Sequence, residues 1–211
     1  MKDDRNASVH NKTTAERIGP YTIQEFIKHV EGFHGFAAPG VIAGGFMVDM
    51  AMKRIPEGIL FDAICETSSC LPDAIQLLTP CTFGNSWLTL INLGKFALTL
   101  YNKYEGSGIR VYLDPSKLDN YNEIKAWFLK LKAKKDQNTD LLLEQILLAG
   151  RNIYSAHPVQ VKAYYLGKSS KGEIGICNEC GEAHPVKDGS ICRGCQGEAP
   201  YDITILHNLN K

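Results

Sequence analysis

The chain has 211 residues, 44% of them apolar, and its 23 basic and 23 acidic side chains leave no net charge. That length suits one sizeable domain or a domain with a small appendage, the apolar share supports a real core, and the neutral balance leaves nucleic-acid binding to a local patch. No apolar run approaches the roughly 20 residues that cross a bilayer and the opening MKDDRNASVHNKTTAERIGP has no signal-peptide segment, so the expectation is a cytoplasmic protein with no membrane partner, whose seven cysteines are metal ligands, buried small residues or reactive thiols rather than disulfides.

Residues 1–20 are polar and read as a loosely held N-terminal tail. Order is expected from Tyr21. In YTIQEFIKHVEGFHG the residues Ile23, Phe26, Ile27 and Val30 recur at helical spacing, Thr22 is an N-cap with Glu25 three residues on, and Gly32 or Gly35 ends the helix. PGVIAGGFMVDMAMKRIP predicts a second helix broken at Pro56, in which Ala43, Gly44 and Gly45 let another backbone come close. GILFDAIC reads as a buried strand, and CLPDAIQLLTP as a short helix begun by Pro72 and stopped before Pro80. KFALTLYNKY and GIRVYLD predict two strands joined by a hairpin turn at Gly106, Ser107 and Gly108. SKLDNYNEIKAWFLKLKAKK and TDLLLEQILLAGRNIYS follow as helices, and PVQVKAYYL as a strand, which together make an alternating core of helices and strands. Lys130, Lys132, Lys134 and Lys135 read as a solvated helix end rather than a phosphate-binding surface. GKSSKG marks a linker near Gly167, so the ordered core is expected over 21–166 and a small second domain over 167–211.

That second domain contains CNECGEAHPVKDGSICRGC, two Cys-x-x-Cys pairs separated by eleven residues. Each pair presents two thiolates from one tight bend, and two pairs close a tetrahedral zinc shell, so Cys177, Cys180, Cys192 and Cys195 are expected to hold one structural Zn2+ per chain. With all four positions taken by sulfur, no site remains for an activated water. A segment this small cannot bury enough apolar surface by itself, and structural zinc supplies roughly 10–16 kcal/mol of apparent binding energy. His184 and His207 read as surface loop residues. Residues 167–211 carry five basic and six acidic side chains, a poor match to nucleic acid and a better one to a protein partner or a second copy.

Upstream lie Cys65, Cys70 and Cys81. Cys65 ends an apolar strand and reads as a buried small hydrophobe. Cys70 stands just ahead of a helix N-terminus, whose field lowers a thiol pKa. Asp73 and Gln76 share one helix face beside it, and the turn in TFGN is expected to bring Cys81 back to the same cleft.

The run CLPDAIQLLTPCTFGN, followed by LGKFALTLYN and later by the four-cysteine tail, resembles the FmdE family, which takes its name from formylmethanofuran dehydrogenase; the resemblance covers roughly residues 22–114 and 177–195. It implies an α+β fold, a sheet packed with helices, with a small C-terminal zinc finger of treble-clef or ribbon type, and a homodimer. Members of that family carry His-x-His-x-Cys-Pro-Gly ahead of the second helix. Here the segment reads HGFAAPG: His34, Pro39 and Gly40 match, while Phe36 and Ala38 occupy ligand positions and coordinate nothing. Two readings follow. One is a binding or regulatory module with a structural zinc and a pocket near Cys70. The other is a metal- or thiol-dependent enzyme, or a component of one, in formylmethanofuran (one-carbon) metabolism, using His34, Cys70 and Cys81 with Asp73 nearby, and holding a second metal there. The sequence has no molybdopterin site, ferredoxin cysteine run or dinucleotide glycine loop.

Overall fold

The structure is a computed structural model that describes residues 17–167 and 172–201. It divides into two compact units, Met1–Gly167 and Lys168–Lys211. His207, most of the tail read over 1–20 and most of the GKSSKG linker lie outside the described residues.

In the first unit the described chain opens with a small antiparallel hairpin, β1 (Arg17–Ile18) and β2 (Tyr21–Thr22). Ile18 is fully buried, so ordered structure begins ahead of Tyr21, within the segment expected to be a loose tail. Helix α1 (Ile23–His34) starts at a complete capping box: Glu25 N–H donates to Thr22 Oγ1 and the Thr22 N–H donates to Glu25 Oε2. Gly35 ends it in the left-handed region at φ 92°, with its N–H on the Glu31 carbonyl. Helix α2 (Pro39–Met52) is apolar all round, and eleven of its residues are buried, as a helix must be when it packs on both sides. It lies between a sheet and α1, α3 (Leu71–Leu78) and α5 (Thr139–Ala149).

That sheet has the order β4-β3-β5-β6-β7. Strands β3 (Phe61–Cys65), β5 (Ala97–Asn102), β6 (Ser107–Leu113) and β7 (Tyr154–Gln160) pair antiparallel, whereas β4 (Leu88–Leu90) runs parallel to β3. The hairpin turn falls at Lys103–Gly106 rather than 106–108. Gly108 instead pairs within β6, where a Cβ would stand 2.3 Å from the Leu100 carbonyl oxygen.

Two further elements differ from expectation. The helix read over 116–135 is only α4 (Asn122–Phe128). The chain then turns at Lys130, φ 57°, with Leu131 N–H on the Ala126 carbonyl, and resumes as a short 3-10 turn at Lys134–Asp136. Strand β7 ends at Gln160, and a 3-10 turn at Ala163–Tyr165 replaces the end of the strand read over 158–166. The leucines of LKLK stay exposed, and KAYYL pairs with no strand among the described residues although Leu166 packs against Ile64, Tyr101 and Val161, so local propensity yields to the surroundings.

Asp49 of α2 is 5% exposed and collects three cationic or N–H partners: Arg151 Nε at 2.7 Å, Lys53 Nζ at 2.8 Å and Gly19 N at 3.0 Å. Burial pushes this carboxyl up, but Lys53, the Gly19 N–H and Arg151 together outweigh it and hold it below the ordinary aspartate value.

In the second unit β8 (Ile174–Ile176) pairs antiparallel with β9 (Ala183–Pro185), followed by a 3-10 turn at Val186–Asp188 and a helical turn, Gly194–Glu198. Alternation along β9 turns His184 inward, 7% exposed, while Ile174 and Ile176 face outward. His184 is thus a buried strand residue, not a surface loop residue. Among the described residues no helix is long and apolar enough to cross a membrane.

Because the Asp49 pKa is depressed in the folded state, its contribution to stability is present above the unfolded value of about 3.9 and lost as pH falls through the folded value. Thermal unfolding followed from pH 5 to pH 3 should show a stability loss that Asp49→Asn largely removes. At neutral pH the same variant should be about 3 kcal/mol less stable, since the buried carboxylate that Arg151 and Lys53 both contact is then gone.

Candidate functional site

The second unit brings four thiols together from two bends. Cys177 and Cys180 flank the turn after β8, with Gly181 N–H on the Cys177 carbonyl, and Cys192 and Cys195 open the helical turn. The Asn178 N–H donates to the Ser190 carbonyl and ties one bend to the other. Sγ of Cys177 lies 3.8 Å from that of Cys195, and Sγ of Cys180 lies 3.7 Å from that of Cys192. A disulfide needs about 2.05 Å. A regular tetrahedron with Zn–S bonds of about 2.3 Å has edges of about 3.8 Å, which these separations match. All four sulfurs lie within 4.8 Å of one another, and they are the one group of three or more His, Cys, Asp or Glu among the described residues with ligand atoms so close. Backbone N–H groups of Cys180 and Cys192 favour the Cys177 thiolate and hold its pKa down to about 6. The donor set therefore fits one zinc ion with no open position.

The first unit assembles a different cluster where α1 ends and α2 and α3 begin. His34, in the last turn of α1, places Nδ1 2.6 Å from Oδ2 of Asp73 in the first turn of α3. An ionised carboxylate only accepts, so His34 donates from Nδ1. Cys70, the N-cap of α3, has the strained φ 57° and ψ −48°. Its sulfur lies 2.8 Å from where a Cβ on Gly40 would stand, so only glycine fits at the start of α2. Trp127 of α4 approaches the same point within 3.5 Å. The exposed ring of Phe36 lies 5.0 Å from the His34 ring, and Ala38 is buried as the N-cap of α2.

Two expectations are corrected here. Burial, followed by the Asp73 carboxylate, pushes the Cys70 thiol up, against the opposing pull of Lys130 and Lys134, so the helix start does not make it a ready thiolate. Cys81 does not return to this cluster. It follows the far end of α3, a helix about 12 Å long, fully buried with Sγ 3.6 Å from the Phe61 carbonyl oxygen, and burial pushes its thiol up to about 11. His34, Cys70 and Cys81 thus make no common ligand set. Gln76 is also engaged elsewhere, accepting from the Phe83 N–H. Cys65 is the buried small residue expected of it, donating to the Thr67 carbonyl with its pKa raised to about 11. Gly40, Trp127, Lys130 and Lys134 belong to the Cys70 surroundings, and residue spacing does not single them out; Pro39-Gly40 at a helix start is the one signal of them in the sequence.

Comparison with known proteins agrees with this two-part architecture. Residues 33–162 match the family model described as FmdE, molybdenum formylmethanofuran dehydrogenase operon, and residues 168–202 match the FmdE treble clef zinc finger. The crystal structure of a tungsten formylmethanofuran dehydrogenase FmdE-like protein from Syntrophus aciditrophicus is 50% identical, with a TM-score of 0.83, over 90% of this chain and 100% of that one. A protein of Archaeoglobus fulgidus named as a probable S-adenosyl-L-methionine-binding protein is 30% identical over 188 residues, which cover 78% of this chain and 50% of the length of that relative. With an α+β core, a treble-clef finger carrying four clustered cysteines and a family model that spans most of its length, this chain belongs to the FmdE family.

Proposed function

We propose that the chain is a small-molecule-binding or regulatory module, in which the four-cysteine finger holds one structural zinc and the Cys70 recess of the core receives the ligand. The observation that carries this reading is the separation of the core's thiols: Cys70 and Cys81 stand at opposite ends of α3, His34 is engaged by Asp73, and Phe36 and Ala38 occupy positions where the family motif has ligands. What remains is a half-buried thiol of raised pKa beside a carboxylate and an exposed aromatic ring. These groups suit recognition better than metal or nucleophilic chemistry. The relative's name supplies a ligand to test. S-adenosyl-L-methionine carries a sulfonium cation, which the Phe36 ring face and the Asp73 carboxylate would attract.

Elemental analysis should find one zinc per chain, retained in Cys70→Ser and lost in Cys177→Ser; a second equivalent that disappears in Cys70→Ser would overturn the reading of the core as a recognition site. Calorimetric titration of the full chain with S-adenosyl-L-methionine should give saturable binding at one molecule per chain, weakened about three- to tenfold by Phe36→Ala. An isotherm that stays flat up to about 1 mM would remove this compound as the ligand.

A further inference from the structure

The hairpin of the second unit leaves one face and one edge open. Ile174 and Ile176 alternate with Gly175 along β8, and their cross-strand partners on the same face are Pro185 and Ala183. These side chains are all apolar and lie on the face opposite the buried His184, with Ile174 53% and Ile176 65% exposed. Among the described residues of this unit, Cys177 and His184 alone are buried. A single exposed isoleucine is ordinary, whereas an apolar strand face on a unit with so little interior calls for cover.

The ladder decides which edge is open. Cys177 N–H donates to the Glu182 carbonyl and Val186 N–H to the Glu173 carbonyl. Glu173, Gly175 and Cys177 therefore turn their backbone groups toward β9, and the alternate residues Ile174 and Ile176 turn theirs away. Among the described residues nothing hydrogen-bonds to the N–H or C=O of Ile174 or Ile176. The outer edge of β9, by contrast, holds Pro185, which has no N–H to offer and so blunts that edge. Strand β8 is the edge left as a template.

The sequence beyond the helical turn reads YDITILHNLNK, of which residues 202–211 lie outside the described residues. In it Tyr201, Ile203 and Ile205 alternate with Asp202 and Thr204, the period of a strand with one apolar face, and Tyr, Ile and Thr all favour strands. The chain comes to this segment from the cysteine cluster, where Sγ of Cys195 lies 3.8 Å from that of Cys177, the residue that follows β8. A strand that sets out from that end runs back along β8. We infer that residues 203–205 add to β8 as a third, antiparallel strand, with Ile203 opposite Ile176 and Ile205 opposite Ile174. This register supplies partners for the outward N–H and C=O groups of both β8 isoleucines and lays the added isoleucines beside them on the apolar face. The β8 edge of a second copy offers the same groups, but a segment tethered by a few residues is presented at an effective concentration of about 1 mM, above that of a second copy in a micromolar solution. The strand addition is independent of the Cys70 recess.

Amide hydrogen exchange of the full-length, zinc-loaded protein, read residue by residue by NMR, tests the pairing. The N–H groups of Ile174 and Ile176 should exchange about ten- to a hundredfold more slowly than unprotected amides, and equally so from about 10 µM to about 500 µM protein. In Ile203→Asp/Ile205→Asp both should return to within about threefold of the unprotected rate, while retained zinc and slow exchange of the Cys177 N–H certify an intact finger. Ile205→Pro adds no charge and removes one donor of the ladder, and it should release the Ile174 N–H in the same way. Absence of slowing in the wild type overturns the inference. So does slowing that survives these substitutions: confined to high protein concentration it assigns the edge to a second copy, and at every concentration it assigns the cover to another part of the chain.

Discussion

Helix α2 can be buried on every side only because Gly40, Gly44 and Gly45 let their neighbours come closer than a side chain would allow. A Cβ on Gly44 would stand 2.8 Å from that of Ala74, and one on Gly45 would stand 2.4 Å from the Phe26 ring. At interior packing density such overlaps have nowhere to go. The first of the three glycines has the greatest chemical consequence. By admitting the Cys70 sulfur, Gly40 sets the start of α3 against the start of α2, and that brings Asp73 within reach of His34. The core cluster is thus a by-product of close helix packing, and its geometry is as rigid as the core beneath it.

The two units place the same side chain in different surroundings. In the first unit desolvation keeps Cys65, Cys70 and Cys81 protonated and quiet. In the second, short hairpins and bends supply N–H groups that favour the thiolate of Cys177, and the sulfurs gather at tetrahedral spacing. The difference lies in what surrounds the sulfur, apolar side chains in one place and, at Cys177, the backbone N–H groups of Cys180 and Cys192 in the other. A domain too small to build an apolar interior has its polar backbone available for metal chemistry instead.

Features that depend on local pattern are legible in the sequence. The Thr22–Glu25 capping box, the glycine-mediated approach of α2, the strands around Cys65 and Leu100 and the paired cysteine bends all follow from residues within a few positions of one another. Features set by distant partners are not. Strand β4 is three residues long and is a strand only because β3 offers a parallel edge. The helical letters after Phe128 have no surface to cover, so the helix stops. Cys81 follows Cys70 closely in the chain, and sequence distance alone does not reveal that a rigid helix keeps the two apart. The raised thiol pKa of Cys70 likewise reflects burial by Gly40 and its neighbours, which outweighs the local helix-start effect.

The Asp49 carboxylate links residues 102 positions apart in the chain when it pairs with Arg151. During synthesis from the N-terminus, α2 leaves the ribosome long before its guanidinium partner exists. Throughout that interval Lys53, one turn further along, and the Gly19 N–H are already at hand for the carboxylate. The Arg151 contact closes only once the segment after α5 has been made, so the buried carboxylate gains its second cation late in assembly.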